Sequence, residues 1–144
     1  YLGSENEFTA AHGAELWLRD PALCCNLRKV EPLARALDGY DAWITGLRRD
    51  SAKTRGGAKP FEDYLVKSTG RHILKIQPMV SWTKKDTWAY IQKNGVPYHP
   101  LFDRGYASIA CEPEECTSPV VAGEDDRAGR WRGTDKVECG LHEQ

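Results

Sequence analysis

The sequence predicts an α/β layer fold with a mainly parallel sheet. Two short apolar runs carrying β-branched residues, at 41–46 (Asp-Ala-Trp-Ile-Thr-Gly) and 72–76, read as buried strands. Helical patterns with their own start and stop signals stand around them, so strands and helices alternate. There are no repeats and no low-complexity tracts. Two strands make a small sheet, and the reading expects more strands N-terminal to Tyr1. The chain's one methionine is Met79, which fits a piece of a longer protein.

Taken in order, Asp20-Pro21 reads as an N-cap followed by a first helical residue, which puts Cys24 and Cys25 in the opening turns of a helix. That helix is expected to falter before Pro32, which lacks a donor and restricts Glu31. A second short helix over 32–37 should end at Asp38-Gly39. After the first strand, Arg48-Arg49-Asp50 opens a polar loop with Gly56-Gly57 and Pro60. After the second, Thr83 is placed to cap a helix with Asp86 three residues on, and Trp88 and Ile91 give it an apolar stripe up to Asn94-Gly95. From Pro97 to Gln144 prolines, glycines and charges dominate, predicting loop with brief helix.

One domain over residues 1–144 is expected, long enough to bury a core. Lys+Arg 20 against Asp+Glu 21 gives a net charge of -1, which argues against general attraction to nucleic acid or a membrane surface. Any anion site must therefore be built locally. No apolar run approaches a membrane span, and no signal peptide opens the sequence.

Five cysteines divide as an adjacent pair, a later pair and a lone one. An odd number suits a closed disulfide framework poorly, and the pattern points to metal or redox chemistry in a reducing, cytoplasmic setting. Inert buried cysteines, or a secreted domain with one free thiol, are the alternatives. Cys24, Cys25, Cys111 and Cys116 can serve as four thiolate ligands, which leaves Cys139 as a nucleophile. Consecutive ligands are awkward at a single zinc ion, whereas a cubane offers separate irons to neighbouring thiolates, so the spacing favours a [4Fe-4S] cluster over zinc.

Arginine grips sulfate or phosphate with two parallel hydrogen bonds. Arg48-Arg49 follow a predicted strand, where open α/β sheets place ligands, and Arg127, Arg130 and Arg132 precede Cys139. Each alone reads as a solvated charge, but their concentration near the lone thiol points to an anionic substrate. Lys29 lies one helical turn past Cys25, positioned to stabilise a negative cluster or a docked anion. His142 is close enough in sequence to activate the Cys139 thiolate, but it reads rather as a solvent-exposed tail residue. Trp17, Trp82, Trp88 and Trp131 read as packing residues.

Together, the run from Leu23 through Cys24-Cys25 to Leu33, Thr45-Gly46-Leu47-Arg48-Arg49-Asp50, Asp103-Arg104-Gly105-Tyr106-Ala107-Ser108-Ile109, Gly129-Arg130-Trp131 and Glu138-Cys139-Gly140-Leu141-His142 resemble the sulfonucleotide reductases. The likeness is to the cluster-bearing assimilatory adenylyl-sulfate reductases, in the family's order over nearly the whole chain. It implies an adenine-nucleotide α-hydrolase-like fold, a doubly wound parallel sheet incomplete at the N-terminus, with a loop-rich C-terminal segment.

It also implies thioredoxin-dependent reduction of adenosine 5′-phosphosulfate to sulfite and AMP, through an S-sulfonate on Cys139. Cys24, Cys25, Cys111 and Cys116 match the cluster ligands, and Lys29 matches a lysine between cluster and substrate. Arg127 and Arg130 match arginines that bind the phosphosulfate, and Arg48 joins them as a substrate-binding residue. The family's second pair is Cys-x-x-Cys, whereas here Glu114-Glu115 add two residues between Cys111 and Cys116, and Ala110 stands where a glycine usually precedes the pair. The Ser-Gly-Gly-Lys-Asp phosphate loop of the fold is expected upstream and missing here. The resemblance includes no thioredoxin-like domain, which implies a separate donor, thioredoxin or glutaredoxin.

Two other readings stay open: a cluster-free reductase taking the 3′-phosphorylated substrate, and a zinc-stabilised, non-enzymatic binding module. Homo-oligomerisation is left open as well.

Overall fold

The computed structural model describes residues 3–109 and 116–142. The chain opens with α1 (Glu5–His12), started by a capping box in which Ser4 and Glu7 satisfy each other's backbone N–H groups. A turn at Gly13 leads to α2 (Leu16–Arg19) and then α3 (Pro21–Cys25). Asp20 caps α3 as its sequence predicts, accepting from the Leu23 N–H at 2.9 Å.

The helix does not break before Pro32. It widens into a π-turn over Asn26–Val30 and resumes as α4 (Glu31–Ala36). Pro32 has no N–H for the Arg28 carbonyl and its ring crowds that oxygen; a wider turn relieves both demands without ending the helix. Lys29 stands on this widened turn.

The sheet has three strands in the order β1 (Ala42–Ile44), β3 (Arg71–Ile76), β2 (Phe61–Val66). β1 and β3 are parallel, with Trp43 opposite Lys75. β2 and β3 form an antiparallel hairpin, closed at Gly70 with φ +70°. The α/β class and the two expected strands hold; β2 is an addition, and it makes this small sheet mixed. One face carries Tyr64, Val66 and Ile73, which pack with Leu37 and against Leu33, Ala34 and Trp43. Ile44, Phe61 and Leu74 are exposed. Lys75 is only 2% exposed; it faces its cross-strand partner Glu62 at 3.3 Å and lies near the rings of Trp43 and Tyr64.

α5 (Lys84–Asn94) follows its sequence signals, with Thr83 and Asp86 as capping box and Gly95 in the left-handed conformation at its end. Trp88 packs edge-on against Tyr98 and Phe102. The described C-terminal segment holds one isolated bridge, Thr117 to Arg130, among turns, matching the loop-rich expectation. Among the described residues no helix is long and apolar enough to cross a membrane.

Candidate active site

The C-terminal segment is pinned to itself by a close backbone approach at Gly129. A Cβ there would lie 2.0 Å from the Ser118 carbonyl oxygen, so only glycine allows the two stretches to meet. Ser118 N–H donates to the Gly129 carbonyl at 2.8 Å, and Trp131 N–H donates to the Cys116 carbonyl at 3.1 Å. This pairing carries Cys116 to the Trp131 ring. Cys25, Cys116, Trp131 and Cys139 form one buried core group, with Trp17 and Leu141 against it.

Cys24 faces the other way, into a neighbouring group with Phe8 and Leu16, and Trp17 packs against both groups. The adjacent cysteines thus project into two joined pockets of core. Cys139, read from the sequence as separate from the ligand cysteines, is 8% exposed and packs with Cys25 and Cys116. Cys111, with Ala110, Glu114 and Glu115, lies outside the described residues.

A cavity of about 440 Å³ opens beside Cys139. Lys29, Arg48, Arg127, Arg130 and Cys139 all line it, so most of the cationic residues singled out in the sequence meet the thiol there. Lys29 comes from the π-turn, Arg48 from the end of the loop after β1, and Arg127 and Arg130 from the turn before Trp131. Arg48 is held by Asp50 at 2.8 Å, and Arg130 donates to the Ser108 hydroxyl at 3.0 Å. The Arg130 guanidinium carbon stands 4.5 Å from the Trp131 ring centroid. Burial and the neighbouring charge of Arg130 lower the Arg127 pKa, the response of one cation crowded by another. Its Nε is buried with no hydrogen-bond partner among the described residues. Arg49 donates to the Ala58 carbonyl and Arg132 is held by Glu124, so neither lines this cavity.

Three contributors escaped the sequence reading. Arg55, from a 3₁₀ turn over Lys53–Arg55, lines the cavity and forms a two-pronged pair with Glu138, both contacts at 2.9 Å. Glu138 is the second. Burial alone would raise its carboxyl pKa, but Arg55, Arg127 and Thr54 hold it below the ordinary value. The third is His142, read as a solvent-exposed tail residue. Its ring instead lies parallel to Trp43, centroids 5.4 Å apart, and it lines the cavity. Burial, with Arg55 and Lys75 nearby, drives its pKa down to about 4, so the imidazole is neutral at pH 7. Only the Glu-Cys-Gly-Leu-His run hinted at the last two.

A buried thiol beside several cations suits nucleophilic attack on a dianion, because the cations offset repulsion between thiolate and substrate. The Phosphoadenosine phosphosulfate reductase domain matches residues 3–119. The chain belongs to that reductase family. Among its relatives, adenosine 5′-phosphosulfate reductase of Lysinibacillus sphaericus is 47% identical over 93% of the chain and 55% of that protein. Phosphoadenosine 5′-phosphosulfate reductase of Gloeobacter violaceus is 48% identical over 98% of the chain and 57% of that protein. The crystal structure of phosphoadenylyl-sulfate reductase from Candida auris, a phosphate complex, superposes with a TM-score of 0.61 at 39% identity, over 76% of the chain and 50% of its own. The chain spans about half the length of these curated relatives. Within this reductase family, the described residues place the thiol and the cationic cavity in one compact region.

Proposed function

We propose that the chain carries the nucleophile and anion-binding half of a reductase that converts adenosine 5′-phosphosulfate to sulfite and AMP in sulfate assimilation. The observation that carries this reading is the convergence of Cys139 with Lys29, Arg48, Arg127 and Arg130 on one cavity. The relatives' names support the reaction class, one naming the adenosine and one the phosphoadenosine substrate.

In the proposed chemistry the Cys139 thiolate attacks the sulfate sulfur. An S–S bond forms, the bond from sulfur to the bridging phosphate oxygen breaks, and AMP leaves with the electron pair. Arg127 and Arg130 bind the phosphosulfate and Lys29 and Arg48 add charge, so the developing negative charge on the leaving oxygen meets fixed cations. Neutral His142 holds the tail against Trp43 by stacking. A dithiol protein of the thioredoxin or glutaredoxin class then attacks the Cys139 sulfur. Sulfite departs with the bonding pair, and the donor's second thiol closes a disulfide, so the donor's two electrons reduce sulfate sulfur to sulfite.

Cys24, Cys25, Cys111 and Cys116 would hold a [4Fe-4S] cluster. The donor type suits such a cluster, since Cys24, Cys25 and Cys116 are buried cysteines; among the described residues no three ligand side chains are gathered into one metal-holding group, and Cys24 lies in the neighbouring core group. When bound, the cluster supplies a charged centre that Lys29 balances. A cytoplasmic location accords with these reduced thiol ligands.

The test is sulfite release from adenosine 5′-phosphosulfate with reduced thioredoxin, in the wild-type chain and in Cys139→Ser. Sulfite from the first and none from the second supports the reading. Equal release from both refutes it.

A further inference from the structure

Glu138 directly precedes the proposed nucleophile, and its side chain is 5% exposed. Its carboxylate takes four hydrogen bonds from three side chains: Arg55 Nε and Nη2 at 2.9 Å each, Thr54 Oγ1 at 3.0 Å and Arg127 Nη2 at 3.1 Å. Arg127 Nη2 also donates to the Val137 carbonyl at 2.9 Å, so it holds the tail at two successive residues. Arg55 is braced in turn, donating to Ser51 Oγ at 3.1 Å, and that hydroxyl donates to the Arg48 carbonyl at 2.7 Å.

On the far side of Cys139 the backbone turns at Gly140, φ +88°, a conformation that glycine adopts without strain. Leu141 packs against the thiol-bearing core group and His142 stacks on Trp43. Cys139 therefore hangs between two fixed points, an ionic one before it and a packed one after it. Removal of the ionic point leaves the thiol tethered only through a glycine.

We propose that Glu138 is a positioning residue for Cys139: the grip of Thr54, Arg55 and Arg127 on its carboxylate fixes the thiol beside the cavity and sets the two guanidiniums that line it. This rests on the reading of Cys139 as nucleophile. A carboxylate suits the task because it accepts on both oxygens, whereas an amide of the same shape turns an N–H₂ toward a guanidinium and leaves a buried donor unsatisfied.

The test compares the parent chain with Glu138→Gln and Thr54→Val in two assays. The first is the rate at which iodoacetamide alkylates Cys139 in the folded chain without substrate, read by peptide mass. The second is the single-turnover rate of S-sulfonate formation on Cys139 from adenosine 5′-phosphosulfate. Glu138→Gln is expected to speed alkylation about tenfold as the tail loosens. It should slow S-sulfonate formation at saturating substrate by about a hundredfold, with a smaller change in the half-saturating concentration. Thr54→Val, which removes one donor of four, should move both rates the same way by less.

An unchanged rate in either assay for folded Glu138→Gln overturns the proposal. Should that variant not fold, unchanged rates in Thr54→Val overturn it. A parent chain that forms no S-sulfonate would sink the proposed reduction, while the alkylation comparison still decides whether Glu138 anchors the thiol.

Discussion

Arg130 and Trp131 are neighbours in the chain, and the Arg130 guanidinium lies 4.5 Å from the centre of the Trp131 ring. Arg127 and Lys136 reach the same ring at 5.8 and 5.5 Å. The ring also packs with Cys25, Cys116 and Cys139, so one indole joins the thiols to the arginines. Its backbone sits at φ +48°, a strained setting for a bulky residue that its surroundings must enforce. Trp131→Leu should weaken binding of adenosine 5′-phosphosulfate about tenfold through loss of the aromatic face. Trp131→Phe should retain most of the affinity. Titration calorimetry checks both, and equal affinity in Trp131→Leu and the parent would refute the role of the ring.

Gly129→Ala addresses the support beneath that ring. The added methyl meets a backbone oxygen, which cannot swing away as a side chain would. Destabilisation at or above the usual overpacking cost of about 1–3 kcal/mol is expected. A urea midpoint equal to the parent's would show that the two stretches do not meet as described.

Local signals made part of the fold legible. Asp20-Pro21 and the Thr83/Asp86 pair mark real helix starts because a cap is decided within four residues. Ser4 and Glu7 make the same signal at α1. β2 was hidden because Phe61-Glu62-Asp63 reads as polar and only pairing with β3 makes it a strand. In the site, the cations nearest Cys139 along the chain were legible as a concentration of charge. Arg55 was not, because its partner Glu138 lies 83 residues away. His142 misled for the same reason: its burial comes from Trp43, a residue of the first strand.

The neutral His142 ring carries a pH dependence whose sign is fixed. Its pKa in the fold is about 4 against an ordinary 6.5, so the unfolded chain binds the proton more readily. The stability that this neutral ring contributes is fully present above pH 6.5 and is lost as pH falls from there toward 4. Thermal midpoints of the parent chain should drop across that interval by more than those of His142→Phe, which keeps an aromatic ring for Trp43 but cannot titrate. Parallel declines would mean that His142 is not docked.

Metal content tests the thiols. Anaerobic purification should yield about four irons and four acid-labile sulfides per chain. Cys25→Ser should lose them and Cys139→Ser should keep them. Zinc in place of iron, or loss of iron on changing Cys139, would reassign the five cysteines.

The most direct measurement is the mass of the Cys139 peptide after the chain meets adenosine 5′-phosphosulfate without a reductant. The account predicts one added SO₃ group on Cys139 and on no other cysteine, removed by reduced thioredoxin with release of sulfite. An unmodified Cys139, or the group on Cys24, Cys25, Cys111 or Cys116, would contradict it.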